Sequence, residues 1–309
     1  MRRDFIKQVL VEMEENKDIM FLTGDLGFNA LEPIKEKFPD RFINVGIAES
    51  HMVGMAAGLA LEGKKVIVYS IAAFATMRPY EQIRTGICYD NLDVKIVGTG
   101  GGFNYPNHGV THHTIEDYAI MNVLPNMQVF APGHSWEARE AAKVMLHFKG
   151  PAYIRLGKSP GRDYAQPSFR FAPGRGYVIK EGKDIVLIST GNVLDVAMEA
   201  GALLEKETGM SVSVISMPNL KPIDKELIIA KAKTAKGLFT IEEHSTIGGL
   251  GAIVSSILWQ EGATPKKFHA FGFPDAFVTL VGDRDYLLRS VGLDAASITK
   301  KVLTVLGES

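Results

Sequence analysis

The segment INVGIAESHMVGMAAGLA, from Ile43 to Ala60, places one carboxylate, that of Glu49, among small and apolar residues. An apolar run ends at Gly46, Glu49 opens the next segment, and the glycines and alanines that follow suit close helix packing. A carboxyl group with so few polar neighbours suits proton exchange with a bound ring nitrogen. A glutamate at a helix N-terminus can also act simply as a partner of the helix dipole, so this segment alone leaves both interpretations open.

The chain on either side of this segment alternates short apolar, β-branched runs with longer helical patterns. The strand-like runs include IMFLTG, KVIVYSI and VKIVGT in the first half, and DIVLIST and SVSVISM in the second. This alternation predicts parallel sheets covered by helices. From Gly157 to Lys183 the sequence is rich in Gly, Pro and Arg and has no clear period, which is typical of a boundary. We therefore predict an α/β protein with two doubly wound domains, residues 1–160 and 184–309, joined by a linker over residues 161–183.

In parallel α/β sheets, ligands bind at the carboxyl ends of the strands. This rule places Asp25 on one rim together with the loops that follow Ser70, Val97 and Phe130. The loop after Val97 contains three consecutive glycines, which preclude regular structure. It lacks the lysine and the spacing of known phosphate-binding loops, so its glycines alone do not indicate a phosphate site.

Composition narrows the class of ligand. The 309 residues are 46% hydrophobic and 22% charged, with a formal net charge of -1, which provides no general attraction for nucleic acid or an anionic membrane. As a ligand, a small phosphorylated metabolite is more compatible with this charge than a nucleic acid polymer is. The single cysteine, Cys88, excludes an intramolecular disulfide. The charged amphipathic N-terminus and the absence of any long apolar run predict a cytoplasmic protein without a membrane anchor.

Besides the segment from Ile43 to Ala60, several blocks occur in a fixed order: FATMRPYEQIR, NLDVKIVGTGG, THHTIED, VLPNMQVFAP, GPAYIRLGKSP and EEHSTIGGLG. Together these blocks resemble the C-terminal half of a transketolase. Deoxyxylulose phosphate synthases and pyruvate dehydrogenase beta subunits share the layout but match less well, and the resemblance is greatest to the smaller, C-terminal subunit of a split transketolase. The last block resembles a turn and helix start of the second domain, and we expect it to be structural.

The resemblance implies a cofactor, thiamine diphosphate, and assigns residues to it. Glu49 matches the glutamate that hydrogen-bonds N1′ of the cofactor's aminopyrimidine. Phe74 falls in the aromatic cradle of that ring, although core packing is the alternative for an isolated phenylalanine. Ile71 and Met77 fall where larger transketolases use further aromatics, so this cradle is expected to be more aliphatic. Asp25 resembles an aspartate near the cofactor, with a turn or capping role as the alternative.

The loop after the glycines carries the predicted substrate contacts. His112 aligns with a histidine that faces substrate oxygens, where an imidazole can donate a hydrogen bond and move protons; a capping or buried structural role is the alternative. His113 is a second, weaker candidate. The chain reads PNHGVTH where transketolases read GEDGPTH, so His108 replaces an aspartate that contacts a substrate hydroxyl. Gly100 aligns with the upstream substrate histidine. These changes predict an altered sugar specificity.

Arg155, in AYIRLGK, aligns with a family arginine that receives the substrate phosphate, and a planar guanidinium suits contact with phosphate oxygens. A salt-bridged arginine at a strand end is the alternative interpretation.

The sequence lacks a GDG motif, with which thiamine diphosphate enzymes hold the metal and the diphosphate. Hard divalent metals need several oxygen ligands around the phosphates. The resemblance therefore implies a partner, an N-terminal transketolase subunit that carries the GDG motif and binds Mg²⁺ or Ca²⁺. Self-association through the pyrimidine-binding domain would then give an α2β2 assembly.

These observations predict a subunit of a transferase that moves a two-carbon ketol unit from a ketose phosphate to an aldose. Two alternatives remain at this point. One is a beta subunit of a 2-oxo acid dehydrogenase-type thiamine enzyme, and the other is a non-catalytic subunit that has kept the fold.

Overall fold

The β-branched runs form two sheets in the computed structural model, which describes residues 1–27, 30–158 and 161–307. The first sheet has seven strands: β1 (Ile19–Thr23), β2 (Phe42–Asn44), β3 (Lys65–Ile71), β4 (Val94–Thr99), β5 (Gln128–Phe130), β6 (Ala152–Leu156) and β10 (Asn219–Lys221). Their spatial order is β10-β5-β6-β4-β3-β1-β2. Strands β1 to β6 pair in parallel, and β10 pairs antiparallel to β5.

The second sheet has five strands: β7 (Tyr177–Lys180), β8 (Ile185–Thr190), β9 (Val212–Ser216), β11 (Gly237–Ser245) and β12 (Phe268–Phe273). Their order is β12-β11-β8-β9-β7, with parallel pairing throughout except between β7 and β9. Strands β4 and β8 are buried along their whole lengths, as is typical of parallel strands covered on both faces. The predicted fold class is confirmed.

Helices cover both sheets. For example, α1 packs on α6, and α7 packs on α11. Within the described ranges, no helix combines the length and the apolar character that a bilayer span requires. The helices are α1 (Arg2–Glu15), α2 (Glu32–Lys37), α3 (Glu49–Leu61), α4 (Ala72–Thr76), α5 (Asp117–Asn122), α6 (Ser135–His147), α7 (Leu194–Thr208), α8 (Lys225–Thr234), α9 (Leu250–Gln260), α10 (Arg284–Ser290) and α11 (Ala295–Leu306), with a π-helical segment over Gln82–Cys88.

The two sheets do not correspond fully to the two predicted domains: in two places a strand lies outside the domain range predicted for its sheet. The predicted boundary at Pro160 lies outside the described residues. Within the predicted linker, Tyr177–Lys180 forms a strand of the second sheet, because this short run finds a free edge beside β9. Asn219–Lys221, from the second half of the chain, forms an edge strand of the first sheet. The two halves are therefore interlocked by backbone hydrogen bonds.

The glutamate-rich block at the end of β11 has a structural role, as the sequence suggested. The buried Glu242 carboxylate accepts hydrogen bonds from the backbone N–H groups of Leu250 (2.6 Å) and Gly251 (2.8 Å) at the start of α9. Glu243 accepts a hydrogen bond from the Phe103 N–H (2.8 Å) and pairs with Arg284 (2.7 Å). Glu243 thus connects the second half of the chain to the glycine-rich loop of the first.

Candidate active site

Glu49 is positioned by the turn between β2 and α3. Gly46 takes a positive φ of 74° in this turn, and Glu49 is the first residue of the helix. Its side chain is only 3% exposed. Both carboxylate oxygens accept a hydrogen bond from one nitrogen, Nη1 of Arg78, at 3.1 Å to Oε1 and 2.9 Å to Oε2. A buried carboxylate needs such a partner, because leaving its charge uncompensated is costly.

Phe74 lies next to this ion pair. It sits on the short helix α4, which begins where β3 ends, and the Arg78 guanidinium carbon lies 3.9 Å from the centre of its ring. One planar group therefore stacks on Phe74 and donates hydrogen bonds to Glu49. Ile71 precedes α4, and Met77 follows it with 39% of its surface exposed. The structure thus brings together the predicted carboxylate and the predicted stacking ring.

Three further rings extend this site. His112 lies edge-on to Phe74, with ring centres 5.0 Å apart, and His108 lies 4.7 Å from His112. The ring centre of Tyr105 lies 5.7 Å from the ring centre of each of these two histidines. Burial, the neighbouring His108 ring and the Arg78 cation together lower the pKa of His112. His112 is therefore predominantly neutral at neutral pH and can act as a hydrogen-bond donor or a proton acceptor.

Each of the three glycines makes room for a different side chain. A Cβ atom on Gly100 would lie 2.1 Å from the Tyr105 ring, one on Gly101 would lie 1.9 Å from Arg155 Nε, and one on Gly102 would lie 2.4 Å from the Glu243 carboxyl carbon. Gly100 is also buried, and its N–H donates to the Leu156 carbonyl. The predicted substrate contact at Gly100 is therefore not supported, because Tyr105 takes the space of any side chain there.

His113 does not join the other two histidines. It is buried and lies edge-on to Phe103, with ring centres 4.9 Å apart, and Phe103 in turn packs on Phe273 of β12. Burial lowers the pKa of His113 and favours the neutral ring. This environment fits a structural role between the two halves of the chain better than the predicted substrate contact.

Arg155 has the salt-bridged role that the sequence left as the alternative. Its buried guanidinium donates from Nη1 to Asp117 (3.0 Å) and from Nη2 to the Glu243 carbonyl (2.5 Å), and it covers the ring of Tyr118. The Asp117 carboxylate also accepts a hydrogen bond from the Tyr153 hydroxyl (2.5 Å). The predicted phosphate contact is not supported, because this side chain is buried and both of its terminal nitrogens donate to groups of the protein.

Lys158 is the cation that the sequence reasoning missed. It follows β6 by two residues, is exposed, and holds its ammonium group 3.5 Å from the centre of the Tyr105 ring. Arg2 of α1 lies close enough for its positive charge to act on both Tyr105 and Lys158. The block AYIRLGK contains a signal for Lys158. Ligands bind at the carboxyl ends of parallel strands, and Lys158 lies just beyond the end of β6, whereas Arg155 lies within the strand.

Asp25 adopts a positive φ of 55° at the end of β1. Its backbone N–H donates to Asn44 Oδ1 (2.9 Å), and its carboxylate accepts from Asn44 Nδ2 (3.0 Å). Asn44 Oδ1 also accepts from the Gly46 N–H (3.0 Å), in the turn that leads to Glu49. This geometry gives Asp25 the turn role that the sequence allowed and places it on the same rim as β2. In the part of the chain that the structure describes, no group of three acidic, histidine or cysteine side chains is arranged to hold a metal.

Family comparisons agree with this architecture. The family model described as "Transketolase, pyrimidine binding domain" matches residues 2–162, and the one described as "Transketolase, C-terminal domain" matches residues 174–298. The chain therefore belongs to the transketolase family.

Individual relatives show which part of that family the chain represents. A "Putative transketolase C-terminal section" of Methanocaldococcus jannaschii is 37% identical over 303 residues, covering 96% of this chain and 93% of the relative. One subunit of an apulose-4-phosphate transketolase of Actinobacillus succinogenes is 33% identical over 301 residues, covering 97% and 96%. A solved structure titled "Split gene transketolase, inactive beta4 tetramer" is 39% identical, with a TM-score of 0.89 over 99% of this chain and 98% of that one. The chain is thus a transketolase C-terminal section of the kind found in split transketolases.

Substitution of Arg155, within β6, should affect stability far more than substitution of Lys158, two residues beyond this strand. Arg155→Met leaves the buried Asp117 carboxylate without its cation, so we expect the free energy of unfolding to fall by about 3–5 kcal/mol. Lys158→Met removes an exposed cation and should change it by less than about 1 kcal/mol. Urea unfolding of the two variants measures both values. Equal losses would contradict the different environments assigned to these side chains.

Proposed function

We propose that this chain supplies the aminopyrimidine half of a thiamine diphosphate site in a transketolase, and that the enzyme transfers a two-carbon ketol unit from a ketose phosphate to an aldose. The observation that carries the proposal is that one planar group, the Arg78 guanidinium, contacts both Glu49 and Phe74. This group stacks on the Phe74 ring and donates N–H groups to the Glu49 carboxylate. An aminopyrimidine in the same position would make the same two contacts. The site therefore fits the cofactor that the family uses.

The fit has two parts. Stacking of a flat ring on Phe74 would add about 0.5–1.5 kcal/mol beyond the burial of its surface. A hydrogen bond to a charged carboxylate contributes more than one between neutral groups. Glu49 can make this bond because it is buried and its orientation is fixed by the first turn of α3. Because Glu49 is almost fully buried, it would hold a proton at N1′ of a bound pyrimidine with little competition from water.

When bound, thiamine diphosphate supplies a nucleophilic carbon and an electron sink. The residues of this chain support that chemistry by holding and moving protons. Glu49 holds the proton at N1′ of the pyrimidine, and Phe74 orients the ring. His112, kept neutral by its surroundings, can donate a hydrogen bond to a substrate oxygen or accept a proton from a substrate hydroxyl. His108 lies beside it, where it would select among donor sugars.

Lys158 and Tyr105 extend the substrate site towards an anion. From Phe74, the contacts run through His112 to Tyr105 and end at Lys158, so a ketose extended along this path would place its far end near the ammonium group. Arg2 adds positive charge at the same end. This arrangement favours a sugar that carries a terminal phosphate, in line with the phosphorylated substrate in the name of the Actinobacillus succinogenes relative. The substrate anion is thus assigned to Lys158 in place of Arg155.

The remaining half of the site would come from a partner. The absence of a GDG motif from the sequence supports an N-terminal transketolase subunit that binds the diphosphate through Mg²⁺ or Ca²⁺. For the complex of the two subunits we propose an α2β2 assembly, as the resemblance to split transketolases implies. A related β4 tetramer is described as inactive, which agrees with a chain of this type needing another subunit for activity. The ketol transfer is favoured over a 2-oxo acid dehydrogenase reaction by the cationic end of the site, because pyruvate carries no distal phosphate for Lys158 to bind.

The role of Glu49 can be tested by proton exchange at C2 of the cofactor's thiazolium in the assembled enzyme. Glu49→Gln keeps the size of the side chain but removes the ionisable carboxyl, so we expect the exchange rate to fall at least 100-fold. Glu62→Gln, at the end of α3, is the matched control and should exchange like the wild type. A wild-type exchange rate in Glu49→Gln would mean that another residue holds the proton at N1′.

The role of Lys158 can be tested with sugars that differ by one phosphate. Lys158→Met should lower kcat/KM for a ketose phosphate by about 10- to 100-fold, since a charge-assisted contact contributes roughly 1.5–3 kcal/mol. The value for the corresponding unphosphorylated ketose should change by less than about twofold. Steady-state kinetics of the assembled enzyme provide both numbers. A parallel loss for both sugars would contradict the assignment of the phosphate to Lys158.

A further inference from the structure

Arg78 connects the two residues assigned to the aminopyrimidine. Its Nη1 donates to both oxygens of Glu49, and its guanidinium lies over Phe74. The arginine backbone is held to α3 as well, because the Ser50 hydroxyl donates to the Arg78 carbonyl (3.2 Å). Arg78 therefore occupies the surfaces that a bound aminopyrimidine would use.

The two members of this ion pair differ in exposure. The Glu49 side chain is 3% exposed, whereas the Arg78 side chain is 46% exposed. The carboxylate is fixed in the protein, but the guanidinium approaches it from the solvent side and can return to solvent without disturbing the core. Charge explains why it stays in the absence of another ligand, since a buried carboxylate without a partner would be destabilising.

The guanidinium also has the right shape. It is planar, it carries N–H donors in its plane, and it stacks on aromatic rings. An aminopyrimidine that is protonated at N1′ shares these three properties. Both groups cannot lie between Phe74 and Glu49 at once, because each requires the face of the Phe74 ring and an N–H contact with the Glu49 carboxylate.

We infer that Arg78 is a built-in competitor of the cofactor: it occupies the aminopyrimidine site in the cofactor-free chain and is displaced when the cofactor binds. This inference rests on the proposed function, which supplies the identity of the displacing ligand. Occupation by Arg78 keeps Glu49 paired and Phe74 covered until the site is filled. The apparent affinity for the cofactor is then lower than the intrinsic affinity by the fraction of chains in which Arg78 has left.

The competition can be measured on the full chain with thiamine, which carries the aminopyrimidine but needs no diphosphate site. Equilibrium dialysis with labelled thiamine should give a dissociation constant at least fivefold lower for Arg78→Met than for the wild type. Arg84→Met, an exposed arginine in the adjacent π-helical segment, is the matched control and should bind like the wild type. Adding Glu49→Gln to Arg78→Met should remove the gain.

The dialysis results distinguish an error in the inference about Arg78 from an error in the proposed function. If the wild type and Arg78→Met bind thiamine equally and Glu49→Gln weakens binding in both backgrounds, the inference about Arg78 is wrong. The assignment of Glu49 to the pyrimidine site would then still hold. A gain in Arg78→Met that persists with Glu49→Gln would contradict the assignment of Glu49 itself. Absence of binding by every variant at millimolar thiamine would also overturn the inference, because removal of the competitor should open the site.

A second measurement does not depend on thiamine. In the wild-type background, Glu49→Gln should lower the urea midpoint of unfolding, because it breaks the ion pair. In the Arg78→Met background the same substitution should raise the midpoint, because it removes a buried charge that has lost its partner. An effect of the same sign and size in both backgrounds would show that the ion pair is not formed in solution and would overturn the inference.

Discussion

A carboxylate that is almost fully enclosed requires a counter-group, and the candidate site is organised around that requirement at Glu49. In this structure the Arg78 guanidinium meets it, and in the proposed enzyme the aminopyrimidine would replace that guanidinium. The position of the carboxylate comes from the fold. Strands β2 and β3 end at the same edge of the sheet, so the start of α3 and the short helix α4 lie close together, and with them Glu49 and Phe74.

The second half of the chain supports this edge without supplying the reacting groups named above. Glu243 of β11 holds the backbone of Phe103, and the Glu243 carbonyl accepts a hydrogen bond from Arg155. Arg155 in turn neutralises Asp117 at the start of α5. The glycine-rich loop is therefore fixed between two buried charged groups, and Gly101 and Gly102 allow the Arg155 and Glu243 side chains to come close. This bracing explains why the loop can present His108 and His112 although it has no regular structure.

Much of this arrangement could be predicted from the sequence. Alternating apolar and helical patterns predict the sheets, and the rule for parallel strands predicts a rim that holds Asp25 and the loop after Ser70, which leads to Phe74. The resemblance to transketolases paired Glu49 with Phe74 and pointed to His112. These features follow from local patterns and from topology, which a single sequence carries.

The remaining features depend on contacts between distant residues. The partner of Arg155, Asp117, is 38 positions away, so the ion pair that occupies this arginine cannot be predicted from the block AYIRLGK itself. The resemblance points to Arg155 and not to Lys158, which lies in the same block AYIRLGK. The strand Asn219–Lys221 could not be assigned to the first sheet, because its pairing with β5 is set by the way the two halves pack. The position of Arg78 between Phe74 and Glu49 likewise appears only in three dimensions.

The central claim is that Glu49 and Phe74 of this chain bind the aminopyrimidine of thiamine diphosphate. The most direct test is an experimental structure of the chain assembled with its diphosphate-binding partner and the cofactor. We predict that the pyrimidine ring stacks on Phe74, that its N1′ lies about 3 Å from a Glu49 carboxylate oxygen, and that Arg78 has moved out of the space between them. A cofactor whose pyrimidine is bound elsewhere, with the Arg78–Glu49 ion pair intact, would contradict the account.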